Sequence, residues 1–424
     1  MVKESRSLLR RFPTDLKLVL ATIMLGLVSG LVGIVLNYLL ELVEFLAFGQ
    51  TEHQTAFLTD GVSGSRIGYS LLVVGLSSAV VWYFLQRKVK IFSIKEQLEI
   101  GKDGSPPKIH IWKQLFHSLW QIIAVGGGAP IGKEGAPREI GALFARPIGK
   151  IFCLPIEERL FLIACGAGAG LAAVYQVPLT SIFFVFETLG LAFSVKRFVL
   201  VGLTTYLSAN IAGLVISNQA LYQMPELTWS VQEMWLLPLL VLTVVPLAWF
   251  FGSMMKQATI HRIKNKWILF SLPLSFLLVA GLAFYYPHLL GNGRMMAQDL
   301  LNGSNARTVL LLFILKAFAV LITLWAGAYG GTLTPSFSLG MAGAALLSFT
   351  LGVENHTTLL LLGSVCFLTV TLRAPLSATG LVVGFTGLNQ ESLPYLLVTA
   401  YVAYGFAKTL DALWQNVKTS KNSS

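Results

Sequence analysis

Charged residues are scarce in this sequence, at 12% of 424 positions, against roughly 25% in an ordinary soluble protein. A water-exposed surface cannot be covered from that supply, so an ordinary cytosolic enzyme is excluded. A disordered chain is excluded too, because disorder combines low hydrophobicity with high charge. Cysteine is nearly absent: Cys153, Cys165 and Cys366 are an odd number, and the last two lie in apolar stretches. That excludes a disulfide scaffold and predicts small hydrophobes without redox or metal roles. The six histidines never stand three or four apart and no HExxH is present, so the signature of a zinc hydrolase is missing. Asp103 lies in a polar stretch, the wrong place for an intramembrane aspartyl protease. There is no P-loop and no dinucleotide fingerprint, so nothing in the chain would power transport directly from ATP. No enzyme activity, cofactor or metal is expected.

Apolar residues, by contrast, make up 55% of the chain. They form long unbroken runs, where a transmembrane β-barrel would alternate apolar and polar residues in short strands. The chain therefore reads as an all-α polytopic membrane protein. The formal net charge of +11 fits Lys and Arg concentrated in cytoplasmic loops better than nucleic-acid binding. Lys3, Arg6, Arg10, Arg11 and Lys17 precede the first apolar run, which spans about Leu18 to Gly49. That run exceeds the roughly 20 residues needed to cross a bilayer and must tilt or bend. The next loop carries Glu52 and Asp60 and no Lys or Arg, Gly68–Leu85 crosses back, and a lysine-rich loop follows. Lys408, Lys418 and Lys421 mark the tail. A multi-pass protein of the inner (plasma) membrane with both termini cytoplasmic is predicted.

Four apolar segments, 122–150, 162–190, 322–350 and 361–388, are broken by Gly and Pro. Non-helical backbone survives at membrane depth only inside protein or beside a wet cavity, and interrupted helices in two corresponding halves point to a transport site. The halves do correspond. Gly132-Lys133-Glu134-Gly135-Ala136-Pro137 precedes Val177-Pro178-Leu179-Thr180, and Gly330-Gly331-Thr332-Leu333-Thr334-Pro335 precedes Ala374-Pro375-Leu376-Ser377. Pro137 to Pro178 is 41 residues, and Pro335 to Pro375 is 40. This spacing predicts an internal repeat. The organisation expected is a cytoplasmic segment at 1–17, a first inverted repeat at 18–215, an extracytoplasmic connection at 216–235, a second repeat at 236–410 and a cytoplasmic tail at 411–424. The helix starts near Gly135, Pro178, Thr334 and Pro375 are expected to point to one centre.

Glu134 is the residue that draws attention. It sits at a glycine-rich break with Pro137 suited to the first turn of a new helix. A helix start offers unpaired N–H donors and the positive end of the dipole, which together bind anions. A carboxylate there is a tethered anion that can fill the site, vacate it or take a proton, and intramembrane carboxylates are functional by default. Lys133 and Arg138 flank it and could enrich anions by their field or simply pair and snorkel.

Gly132-Lys133-Glu134-Gly135 with the following Ala-Pro resembles the gating-glutamate motif of the CLC family of chloride channels and anion/proton antiporters. Gly330 to Pro335 resembles its second-half counterpart. Leu171-Ala172-Ala173-Val174-Tyr175-Gln176-Val177-Pro178-Leu179 and Leu372-Arg373-Ala374-Pro375-Leu376 resemble the family's two short helix-start segments, in order and spacing. The likeness covers most of residues 18–410, with no soluble regulatory domain expected after it. It implies two inverted-topology repeats with re-entrant helices and a homodimer with one pathway per subunit. It makes Glu134 the gating and proton-transfer residue, and Gly132, Lys133, Gly135, Ala136, Gly331, Thr332, Leu333 and Thr334 the anion-binding segment.

The departures refine the expectation. The family's first anion motif has no clear copy; by distance it falls near Ile91 to Lys95, where Ser93 supplies a hydroxyl. Loss of that motif, the Gly-Lys-Glu-Gly-Ala-Pro run and Thr334 before the second-half Pro resemble the fluoride-exporting branch, although Thr332 stands where some of its members hold an acid. Proton-coupled chloride relatives place a second glutamate where this chain has Thr188, with Glu187 beside it, so the inner proton route is open to question. The family's C-terminal tyrosine has no counterpart, since Tyr401 and Tyr404 lie too early. The expected function is a fluoride/proton antiporter exporting fluoride. A chloride/proton antiporter and a voltage-gated-type chloride channel of the same fold are the alternatives.

Overall fold

The computed structural model describes residues 12–88, 90–99, 107–216, 220–225, 227, 229, 231–353 and 356–422. Lys3, Arg6, Arg10, Arg11 and Asp103 lie outside the described residues. The first half is built from α1 (Thr14–Phe48), α2 (Gly64–Lys88), the short α3 (Ile94–Leu98), α4 (Ile111–Gly126), α5 (Gly135–Ile151), α6 (Ile156–Tyr175), α7 (Pro178–Glu187) and α8 (Val195–Gly213). The second repeats the order with α9 (Leu237–Ile260), α10 (Ile268–Tyr285), α11 (Arg294–Leu301), α12 (Ala306–Ala326), α13 (Leu333–Leu351), α14 (His356–Leu372), α15 (Pro375–Thr386) and α16 (Leu393–Asn422). The described residues hold no β-strand, only one isolated backbone bridge between Gly132 and Gly331. Among the described residues, eight helices are long and apolar enough to cross a membrane. Their outward faces carry large apolar side chains such as Leu46, Tyr69, Phe250 and Phe270. Leaving these in water would be costly, whereas against lipid they need no protein cover.

α1 has 35 residues, about 52 Å of helix, so it outruns a hydrocarbon core of roughly 30 Å. It starts on one face, called the terminal face, and ends at Phe48, four residues before Glu52 on the opposite face. α2 returns to Lys90 and Ser93. α9 runs from the opposite face to Lys256 on the terminal face, inverted relative to α1, and α16 brings the chain back there through Asp411, whose carboxylate pairs with Arg373 at 2.8 Å.

The correspondence of the halves extends to backbone detail. α6 ends where Gln176 adopts φ 55°, and α14 ends where Arg373 adopts φ 60°. In both cases a proline opens the next helix two residues on, as its fixed φ and missing N–H favour. A non-glycine residue in the left-handed region costs energy, so its occurrence at matching breaks is a property of the repeat. α5 and α6 touch backbone to backbone: a Cβ added at Gly141 would strike the Gly166 carbonyl, and one at Gly166 the Gly141 carbonyl. Gly340 and Gly363 make the same reciprocal contact between α13 and α14.

One expectation needs correction. Two of the four helix starts meet, those of α5 and α13, where Gly132 and Gly331 exchange N–H···O bonds of 2.7 Å in both directions. The starts of α7 and α15 cannot both join them, although Tyr175, three residues before α7, reaches Glu134 at 3.3 Å. These two helices lie antiparallel, with Thr180 against Gly380 and Val177 against Gly384, so their starts fall at opposite ends of the pair.

Candidate functional site

The α5 break is written in the sequence by Gly126 to Gly128. α4 ends at Gly126, Gly128 takes φ 104°, and the chain runs non-helically until Gly135 opens α5. The same interruption before α13 brings Gly330 and Gly331 alongside. Glu134 occupies the N-cap position of α5 and makes no capping bond with its side chain. Its fully buried carboxylate crosses instead to the other half of the molecule. Oε1 accepts the Leu333 N–H at the start of α13. Oε2 faces the Tyr175 hydroxyl at 3.3 Å and the Thr334 hydroxyl at 3.5 Å. The carboxylate thus rests on the positive end of α13, where a free anion would also be stabilised.

Two water-accessible regions approach this point from opposite faces. On the terminal face a vestibule of about 650 Å³ reaches Gly135, Gln121, Glu139 and Gly330. An adjoining recess of about 970 Å³ shares Lys95, Thr188 and Arg262 with it and reaches Thr332. On the opposite face a narrow cavity of about 130 Å³ is lined by Glu44, Glu52, Lys133, Tyr175 and Arg294. Glu134 stands between them, and an anion crossing here must contend with its charge.

The narrow cavity holds an ion-pair cluster. Lys133 Nζ meets Glu52 at 2.9 Å and Arg294 reaches it at 4.0 Å, while the Glu52 N–H donates to Glu44 at 2.8 Å. Burial alone would raise the Glu52 carboxyl, but the Lys133 and Arg294 charges outweigh it and hold Glu52 below the usual carboxylate range. A carboxyl depressed in the folded state stabilises the fold above its unfolded pKa, near 4.3, and that contribution is lost as pH falls through the folded value. Lys133→Met is therefore expected to lower thermal stability at pH 7 by about 3 kcal/mol, the cost of breaking a buried pair. The gap to wild type should narrow towards pH 4. Thermal unfolding of the detergent-solubilised protein at both pH values checks this, and a gap of constant size would refute it.

The remaining candidate residues are placed as follows. Ala136 is buried in the first turn of α5. Arg138 donates to the Glu134 carbonyl at 2.7 Å and lies 5.4 Å from the Phe184 ring centroid, so it braces the break. Ser93 faces the terminal vestibule, but its hydroxyl donates to Glu96 at 2.9 Å in a capping box that starts α3. Glu187 caps the start of α15, accepting the N–H of Leu376 at 3.1 Å and both the N–H and hydroxyl of Ser377 at 2.7 Å. The Thr188 hydroxyl has no hydrogen-bond partner among the described residues. Tyr404 lies under Lys408, 4.5 Å from its ring centroid, and Tyr401 is exposed.

Sequence reasoning missed two groups. Tyr175 supplies a hydroxyl at the centre from the end of α6. Glu139, five residues after Glu134, accepts from Ser118 at 2.8 Å and from Gln121 at 2.9 Å. The criterion that singled out Glu134, a carboxylate between apolar segments, applied equally to Glu139.

Comparison with known proteins agrees with this geometry. Residues 69–408 match the family model described as "Voltage gated chloride channel". Among curated relatives, the voltage-gated ClC-type chloride channel ClcB of Escherichia coli O17:K52:H18 is 29% identical over 326 residues, covering 73% of this chain and 76% of that protein. ClcB of Escherichia coli strain SMS-3-5 is 30% identical with the same coverage. Among solved structures, a slow cyanobacterial Cl−/H+ antiporter superposes with a TM-score of 0.77 at 20% identity, covering 97% of this chain and 99% of that one. A CLC-type fluoride/proton antiporter superposes at 0.72 with 16% identity, covering 92% and 95%. With an all-α, multi-pass fold and a family match over most of its length, this chain belongs to the voltage-gated chloride channel family and is a CLC-type anion transporter or channel.

Proposed function

We propose that the protein is a halide/proton antiporter, that fluoride is the ion it exports, and that Glu134 carries both the gate and the proton. The observation that supports this reading best is the contact of Glu134 with the Leu333 N–H, flanked by the Tyr175 and Thr334 hydroxyls. A carboxylate on an anion site competes with the anion when charged and leaves it when protonated. Binding of one ion is thereby linked to binding of the other, and the linkage is reciprocal. Gly132, Gly135, Gly331 and Thr332 shape the backbone around the site, and Lys133, paired with Glu52, lines the cavity on the opposite face.

Fluoride is favoured by the donors. It is small and strongly hydrated, so a site must replace water with several short N–H and O–H contacts, and two hydroxyls beside a helix start supply them. The reading includes an inner-membrane location with both termini cytoplasmic, which makes the terminal face the cytoplasmic one. It also includes a homodimer and inverted repeats bounded near 18–215 and 236–410. Liposomes containing the purified protein should release fluoride at least about tenfold faster than chloride, a barrier difference of about 1.4 kcal/mol, and expression should protect cells from fluoride stress. Chloride is the second reading, favoured by the relatives named as chloride channels. Equal or faster chloride flux would select it, and halide flux without proton movement would select a channel.

A further inference from the structure

We propose that Glu139, with His117 beside it, takes protons from Glu134 through water and releases them to the terminal-face vestibule, a task for which Thr188 has no titratable group. This inference rests on the exchange reading above. Four observations carry it. Glu139 lines the vestibule together with Gln121, Gly135 and Thr188, and its side chain is 18% exposed, so water reaches it. Both of its hydrogen bonds, from Ser118 and Gln121, fall on Oε2. His117 is fully buried, its Nε2 lies 3.9 Å from Glu139 Oε2, and neither ring nitrogen has a hydrogen-bond partner among the described residues. A buried imidazole without partners is costly, and a water shared with Glu139 would satisfy it. Finally, Gln121 connects Glu139 to the α5 break: its Nε2 donates to Glu139, and its Oε1 lies against Gly135, the residue after Glu134.

Glu139 follows Glu134 by five residues, about 7.5 Å along the axis of α5, and the two side chains leave the helix in different directions, so water beside Gln121 must carry the proton between them. The step is a proton transfer alone. Protonated Glu134 gives its proton to water beside Gln121 and Gly135, that water passes a proton to a Glu139 oxygen, and Glu139 hands it to a vestibule water as hydronium, which leaves both carboxylates charged again. Only O–H bonds form and break. The other charged and titratable groups that face Glu139 are Arg138 on its own helix, Arg262 after α9 and Tyr329 before α13, with Glu96 of α3 beyond Tyr329.

A carboxylate that only staples α4 to α5 would occupy the same place, so the test must read coupling. Proton uptake driven by a fluoride or chloride gradient is recorded with halide flux in liposomes for wild type, Glu139→Gln and Glu139→Asp. Glu139→Gln is expected to lower protons moved per halide by at least about tenfold, in the range set by loss of a general acid–base. Glu139→Asp is expected to restore coupling with a displaced pH profile. If Glu139→Gln moves neither ion, Glu139→Asp decides: a displaced profile supports the relay, and the wild-type profile overturns it. A wild-type ratio in Glu139→Gln overturns the relay alone. A wild-type protein that takes up no protons overturns the exchange reading and the relay with it.

Discussion

Glu134→Gln is expected to abolish halide-driven proton uptake, by at least about 100-fold, and to leave halide flux passive and independent of pH. The glutamine side chain fits the seat, because its carbonyl can still accept the Leu333 N–H and its amide can donate to the Tyr175 and Thr334 hydroxyls once these rotate. Two properties disappear. The amide carries no proton to exchange. It also carries no charge, and hydrogen bonds to ionised groups are about twice as strong as neutral ones, so a halide displaces it more readily from the start of α13. In wild type the halide and the charged carboxylate repel each other at that point, and protonation relieves the repulsion. The variant has no such linkage. Proton uptake and halide flux measured side by side, from pH 5 to 8, check this. A variant that still drives protons uphill at the wild-type ratio would place the gate on another residue.

The part of this site that could be read from the sequence is the part set by local chemistry. The glycine-rich breaks, the proline after each break and the near-equal spacing of the two halves fix where helices stop and start, since proline and glycine act on their own residues. Glu134 was legible because a carboxylate in an apolar segment needs a reason to be there. Its destination was not, because Leu333 lies 199 residues away and only the packing of the two halves brings it close. Glu187 shows the same limit: the sequence places it only beside Thr188 near the inner proton route, and the fold gives it the start of α15. Arg138 and Glu139 are neighbours in the chain yet diverge, one bracing the Glu134 carbonyl and the other turning to α4. Lys316 is fully buried within α12 and donates to the carbonyls of Leu289 and Gly291 at 2.8 and 2.7 Å. It lies in an apolar run whose hydropathy gives no hint of a tertiary partner.

Gly331→Ala is expected to uncouple the two ions without touching a titratable group. A Cβ built on Gly331 lands on the Glu134 carboxylate carbon and Oε1, far inside van der Waals contact. What yields to that collision decides the outcome. At Gly141 the obstructing atom is a backbone carbonyl of a packed helix, which cannot move without separating α5 from α6. At Gly331 it is the far end of a flexible side chain, and the backbone of Gly331 is not in the left-handed region, so alanine can adopt it and keep the paired bonds to Gly132. The Glu134 carboxylate must therefore leave its seat on Leu333, while the protein folds. Halide flux should persist or rise, and protons moved per halide should fall several-fold, at least about fivefold if the seat contributes about 1 kcal/mol, as a net hydrogen bond does. Because both changes act on one contact, the double variant with Glu134→Gln should behave as Glu134→Gln alone, a strong departure from additivity. Liposome flux of the single and double variants, with thermal stability measured in parallel, tests this. Wild-type coupling in Gly331→Ala would mean that Glu134 does not use this seat during transport. A fall in stability together with both fluxes would mean that the backbone, and not the side chain, had given way.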